Sequence, residues 1–308
     1  MQQVLKNIYQ GLLNIIFPPL CYACHSYLAK NEKELNVCAK CISSIKIWNG
    51  LFCPVCKSRQ AIYPEPVEGL PLRRPPCHPR APFTLAACSD YGNPAVKGLL
   101  HTFKYKKIEN AIRPITELLI RPYIKTIFPE LIPTPLFPER SRRDAILIPI
   151  PLHPSKKRSR GFNQSELIAY ALLQCLNYEI DYFVIPAEAG IQTPFSGFRI
   201  KSGMTQKIYS REAREDIGLP RIETDILKRT KQTDPQAETK SAKERRENVR
   251  GCFSLNPKFY PPAGGLNPTS SVILVDDVYT SGATMAEAVR VLKDAGAKHV
   301  LAFVIAKT

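Results

Sequence analysis

The chain has 308 residues, 44% hydrophobic and 23% charged, which suits one large or two modest soluble domains with a buried core. It carries 43 Lys and Arg against 27 Asp and Glu, a formal net charge of +16. That surplus points to a polyanionic partner, nucleic acid or a phosphorylated substrate, although a general preference for lysine would also produce it. No run is long and apolar enough to span a membrane, and no signal peptide pattern is present, so a cytoplasmic location is expected.

Residues 1–17 place Val4, Ile8, Leu12, Ile15 and Ile16 at helical spacing, which predicts an N-terminal packing helix. Residues 18–90 are rich in Cys and Pro and poor in periodic runs, as expected of a small metal-stapled module, since so short a segment cannot bury a large core. Cys21, Cys24, Cys38 and Cys41 form CxxC…CxxC, the spacing of a structural zinc knuckle. Each CxxC is a tight turn that aims two thiolates at one tetrahedral ion. Without an export signal, such pairs argue for metal rather than disulfides. Cys53 and Cys56 form a third pair. A matching fourth pair is missing, and Cys77, His78 and Cys88 are the nearby candidates to complete a second site.

From Tyr91 to residue 308 the pattern becomes α/β. Val96, Leu99, Leu100 and Phe103 follow helical spacing. Ala145–Pro149 reads as a buried strand, and Gln164–Leu176 as a helix through Leu167, Ile168, Ala171, Leu172 and Cys175. Ser271–Val275 is a second strand, Thr284–Ala295 a helix, and Val300–Ile305 a third strand. This alternation implies a mainly parallel sheet flanked by helices. Pro-rich interruptions at 63–76, 133–143, 185–205 and 260–268 read as exposed loops or inserted repeats, and no function is assigned to them. His25, His101 and His153 are lone histidines, expected on the surface or in loops.

The segment Val272–Ala286, VILVDDVYTSGATMA, carries the sharpest chemistry. A buried strand ends in Asp276 and Asp277, a hydroxyl- and Gly-bearing loop follows over Thr280, Ser281, Gly282, Ala283 and Thr284, and a helix begins. Free N–H groups and the dipole at a helix N-terminus favour phosphate. Gly282 allows close backbone approach. The adjacent acids can accept hydrogen bonds from two neighbouring ribose hydroxyls and orient Mg²⁺. Ligands bind at this edge of open α/β sheets. GxxxxGK[ST] and strand-linked GxGxxG motifs are absent.

The segment resembles the phosphoribosyl-pyrophosphate signature of type I phosphoribosyltransferases. Three further blocks, YGNPAVKGLLHTFKYKK (91–107), IPIPLHPSKKRSRGFNQSELIA (148–169) and LKRTKQTDPQAETKSAKERRENVRGCF (227–253), together with the CxxC pairs, resemble the ComF family of amidophosphoribosyltransferase-like competence proteins. The resemblance covers nearly the whole chain outside the Pro-rich insertions. It implies a type I phosphoribosyltransferase fold behind a module holding structural zinc, with Asp276 and Asp277 as ribose contacts and Thr280–Thr284 as the 5′-phosphate loop. It further implies Mg²⁺ with phosphoribosyl pyrophosphate, a role in natural transformation, and other competence proteins as partners. Family members often show a complete second CxxC pair, from which this sequence departs.

Lys and Arg beside a pyrophosphate would stabilise its departing oxygens. Lys104 and Lys106 after the first helix of this region, and Arg160 with Gly161 in a mobile basic loop, are the candidates. The same cations, with Phe103, Tyr105 and Phe162 as stacking platforms, could instead line a groove for single-stranded DNA. Three functions therefore stay open. They are phosphoribosyl transfer in DNA uptake, a non-catalytic single-strand or protein-docking module, and nucleotide salvage or biosynthesis unrelated to DNA.

Overall fold

A computed structural model describes residues 18–29, 32–60, 78, 81–105, 109–131, 145–184, 220–231, 242–259 and 271–308. The helix expected over 1–17, the four Pro-rich segments, Lys106 and Cys77 lie outside them. In chain order the elements are α1 (Ala39–Ser44), β1 (Leu51–Phe52), β2 (Arg59–Gln60), β3 (Thr84–Asp90), α2 (Pro94–Tyr105), α3 (Ile112–Ile115), a π-helical stretch Thr116–Ile120 and α4 (Arg121–Leu131). They continue with β4 (Ile146–Pro149), α5 (Pro154–Arg160), α6 (Gln164–Val184), β5 (Arg221–Ile222), β6 (Leu227–Arg229), α7 (Ala242–Val249), β7 (Phe253–Leu255), β8 (Ser271–Tyr279), α8 (Ala283–Asp294) and β9 (His299–Lys307).

The main sheet runs β2-β1-β3-β9-β8-β4-β5, and β6 and β7 form a separate antiparallel pair. Strands β3, β9, β8, β4 and β5 are mutually parallel. Such strands are covered on both faces, which is why β4 and the start of β8 read as unbroken apolar runs. One core cluster joins α2, α4, α6 and the first Cys knuckle, and the other joins α8, β6 and β7.

Three boundaries differ from the sequence reading. Strand β8 continues past Val275, because pairing with β9 runs on to Tyr279 opposite Lys307. The acids thus sit within the strand, with Val278 and Tyr279 still to follow. Helix α6 runs on from Leu176 to Val184. Thr84–Asp90, which falls in the Cys- and Pro-rich stretch by composition, is a strand between β1 and β9. The sheet therefore crosses the compositional change near residue 90, with β1 and β2 extending it from the Cys-rich side.

Helix α2 connects this frame to the first knuckle. Pro94 opens it, and Asn93 Oδ1 accepts from the N–H groups of Ala95 and Val96 at 2.9 and 3.2 Å, a standard N-cap. One face is apolar through Val96, Leu99, Leu100 and Phe103. On the knuckle side, Thr102 Oγ1 donates to the Tyr22 carbonyl at 2.6 Å. One turn earlier, the Ala23 backbone lies flush on Gly98, where a Cβ would run into the Ala23 carbonyl oxygen. Further ties are Tyr123 Oη to the Gly50 carbonyl at 2.9 Å and Ser89 Oγ to the Lys46 carbonyl at 2.6 Å.

Gly98→Ala sets two effects against each other. Helix propensity favours Ala by about 1 kcal/mol, but a backbone carbonyl cannot rotate away, and overpacking typically costs about 1–3 kcal/mol. The variant should be less stable than wild type in urea denaturation. Equal or greater stability would show that Gly98 does not seat the knuckle.

Candidate functional site

The two acids at the end of β8 are held differently. Asp276 Oδ1 accepts from Ser165 Oγ at 3.0 Å and from the Asp277 N–H at 2.9 Å. Burial, and then the neighbouring charge of Asp277, push the Asp276 carboxyl up to about 7. Asp277 Oδ1 meets Lys104 Nζ at 3.0 Å, both side chains being mostly buried. Burial works to lower the Lys104 ammonium, but Asp277, followed by Asp276 and Tyr91, outweighs it and holds Lys104 above its ordinary range. Helix α2 thus delivers its last-turn lysine to the strand end, and α6 delivers a serine.

Beyond Tyr279 the chain turns through Thr280–Gly282 into α8. Gly282 adopts φ 76°, a left-handed conformation, and its carbonyl accepts from the Ala286 N–H at 2.8 Å. A second constraint also requires glycine, because a Cβ here would collide with the Tyr279 phenol. Thr280, Ser281, Gly282 and Thr284 are half-buried and Ala283 is buried. Ser281 Oγ lies 3.4 Å from the Ala283 N–H. The loop sits at the positive end of a 12-residue helix, a favourable place for phosphate. Tyr279 Oη donates to the Pro54 carbonyl at 3.3 Å, and burial, followed by the nearby Cys53, raises its pKa, so it stays a donor.

The cysteines gather into two groups. The Sγ atoms of Cys21, Cys24, Cys38 and Cys41 all lie within 4.8 Å of one another, and so do the ligand atoms of Cys53, Cys56 and His78. Cys53 Sγ is 3.4 Å from His78 Nδ1. The two CxxC turns share one backbone pattern. In the first, the Cys21 N–H bonds the Ser26 carbonyl and the His25 N–H bonds the Cys21 carbonyl, at 2.8 and 2.9 Å. In the second, the Cys53 N–H bonds the Ser58 carbonyl and the Lys57 N–H bonds the Cys53 carbonyl, at 3.0 and 2.9 Å. Both carry a positive-φ residue after the second cysteine, His25 at 62° and Lys57 at 60°. In the first group a serine hydroxyl pulls the Cys24 thiol down to about 6, while burial and the crowding thiols push Cys41 up. Four thiolates so close repel one another unless a cation sits among them, so the donor set fits a tetrahedral Zn²⁺.

Comparison with known proteins agrees. A double zinc ribbon domain model matches residues 12–67, and a phosphoribosyl transferase domain model matches residues 203–308. The DNA utilization protein YhgH of Salmonella typhi is 24% identical over 291 residues, 94% of this chain and 98% of that protein. Its namesake in Escherichia coli strain K12 is 23% identical over the same span. A zinc ribbon followed by a phosphoribosyltransferase domain is the arrangement the sequence blocks resembled. The chain is a ComF-like protein. The ribbon match and the Cys groups support structural zinc, and among the described residues no helix is long and apolar enough to cross a membrane.

Several expectations for this ComF-like chain change in detail. Cys88 does not join Cys53 and Cys56. It lies in β3, fully buried, where burial pushes its thiol well up. His78 is the residue that meets them. Arg160 is not in a loop. It ends α5, which starts at Pro154 behind a His153 cap and stops at left-handed Gly161. PSKKRSRG has these start and stop residues but no apolar stripe, so periodicity did not reveal it. Phe103 and Phe162 are 0% and 9% exposed and pack on each other with centroids 5.5 Å apart, so neither is a stacking platform. Tyr105 is 61% exposed, stacks on His101 and lies under the Arg160 guanidinium at 5.3 Å.

Two residues were missed. Ser165 holds Asp276, and Gln164, 1% exposed, accepts from Arg160 Nη1 at 2.9 Å while its own buried Nε2 meets no acceptor among the described residues. Their signal was the polar N-Q-S opening of a helix just after Gly161. A cleft of about 740 Å³ is lined by Pro54, Val55, Arg250, Ser281 and Gly282 among others, but by neither acid. The loop is thus shared between the acid pair and a knuckle-side cleft.

The raised Asp276 carboxyl has a pH consequence. The folded state holds a proton that the unfolded chain, with a carboxyl near 3.8, releases earlier. Its contribution to stability is complete below pH ~4 and is lost as pH rises through ~7. Asp276→Asn should therefore gain stability relative to wild type by about 1 kcal/mol per pH unit across that window. Paired denaturation curves at pH 5, 6, 7 and 8 measure the difference, and zinc-thiolate titration cancels between the two proteins. A pH-independent difference would refute the raised carboxyl.

Proposed function

We propose that the ComF-like chain binds a phosphoribosyl ligand of the phosphoribosyl pyrophosphate type with Mg²⁺ at the end of β8. The observation that supports this reading is the acid pair Asp276–Asp277, with Lys104 at 3.0 Å, directly before a glycine-bearing helix N-terminus. The α8 N-terminus and the hydroxyls of Thr280, Ser281 and Thr284 would take the 5′-phosphate, and the acids the ribose hydroxyls. Lys104 and Arg160, the latter held by the Gln164 carbonyl oxygen, would face the pyrophosphate. If transfer occurs, the C1–O bond to pyrophosphate breaks with its electron pair on the leaving oxygen, which these donors stabilise, while the acceptor bonds to C1.

Titration with Mg²⁺–phosphoribosyl pyrophosphate should give saturable heat for wild type and at least ~10-fold weaker binding for Asp277→Asn, about 1.4 kcal/mol. No saturable heat in the wild type would end this reading.

A second reading is favoured by the exposed Tyr105–Arg160 stack and the +16 charge. The relatives are named DNA utilization proteins, and a role in handling single-stranded DNA is compatible with the phosphoribosyl site. Single-strand binding should weaken steeply with added salt, because neutralised phosphates release counterions, and Tyr105→Ala should weaken it at every salt concentration. Salt-insensitive or absent binding counts against it.

A further inference from the structure

The second knuckle sits against the phosphate loop. Pro54, inside the Cys53–Cys56 turn, accepts the Tyr279 hydroxyl at 3.3 Å. The Tyr279 ring in turn occupies the space where a Gly282 side chain would stand, so the ring and the left-handed Gly282 turn are in van der Waals contact. Phe83 meets the other side of the ring edge-on at 6.5 Å. The contact therefore runs in three steps from the Cys53–Cys56–His78 group, through Pro54 and Tyr279, to the residue that opens α8. Each partner is stiff: a proline, an aromatic ring, and a backbone turn closed by the Ala286–Gly282 hydrogen bond.

We propose that the second knuckle positions the phosphate loop, so that metal held by Cys53, Cys56 and His78 raises affinity for a phosphorylated ligand at Thr280–Thr284. The affinity part rests on the phosphoribosyl reading above. The positional part, that the metal steadies the loop, does not. Metal on the three ligands fixes the CxxC turn and so the direction of the Pro54 carbonyl. A fixed acceptor holds the phenol, and a held phenol leaves Gly282 one arrangement. Without metal the turn is free to open, the phenol loses its acceptor, and ordering the loop must be done at the ligand's expense.

The test uses the full chain with Tyr279→Phe, Cys56→Ser and the double variant. Tyr279→Phe keeps the ring and removes the hydroxyl, and with it the bond to Pro54. Metal analysis should find zinc unchanged in Tyr279→Phe and reduced by about one ion per chain in Cys56→Ser. Hydrogen exchange at the Thr280–Thr284 amides should quicken in both single variants. Affinity for Mg²⁺–phosphoribosyl pyrophosphate should fall about 3–10-fold in each, with the double variant no weaker than Cys56→Ser, because both changes cut one chain of contacts. Unchanged loop exchange in Tyr279→Phe, which retains the knuckle and its metal, would overturn the proposal even if Cys56→Ser fails to fold. So would losses that multiply in the double variant. No binding by wild type would overturn the phosphoribosyl reading instead, and the exchange data would still decide whether the knuckle steadies the loop.

Discussion

Two adjacent carboxylates withdrawn from water at the end of β8 are the constraint around which this structure is arranged. Desolvation and mutual repulsion both act against the second charge, and the Asp276 carboxyl rises to about 7 as a result. The pair persists because α2 carries Lys104 to Asp277 and α6 carries Ser165 to Asp276. A lysine this enclosed needs its acid as much as the acid needs the lysine. The four side chains come from three elements far apart in sequence, so the site exists only when the sheet and both helices are assembled.

That dependence gives the Cys-rich segment a meaning beyond local stapling. The first knuckle lies on α2, with Ala23 against Gly98 and Tyr22 accepting from Thr102, on the helix that ends in Lys104. The second borders Tyr279 and Gly282. One Cys group thus backs onto the helix that carries Lys104, and the other onto the turn into α8. The sheet reinforces the connection, since β1 and β2 continue it beyond β3. A small ribbon with little core of its own is stabilised by such docking, and it can stiffen what it docks on.

Much of this was legible in the residues. The strand–turn–helix of this segment was readable because its order is local: strand, acids, hydroxyls, glycine and helix follow one another within Val272–Ala286. The first metal group was readable because CxxC pairs fix two ligands each at short range. What escaped was set by packing. Phe103 and Phe162 look like stacking residues among cations, but their rings face each other in the core. Cys88 looks like a ligand by proximity, but it lies in β3, a strand covered on both faces, so its thiol is enclosed in the core. The polar run Pro154–Arg160 has helix ends without an apolar stripe, so only its caps identify it.

Local sequence was enough to read a parallel α/β sheet, paired acids at one strand end before a hydroxyl- and glycine-bearing turn, and thiolate pairs suited to zinc. Those features follow from spacing over a few residues, where covalent geometry limits the outcomes. Which distant residues meet was set by packing. It chose Lys104 and Ser165 for the acids, His78 over Cys88 for the second knuckle, and Pro54 as the acceptor for Tyr279. Such choices depend on which helix faces and strand sides meet when the apolar surfaces close, and no local pattern records that.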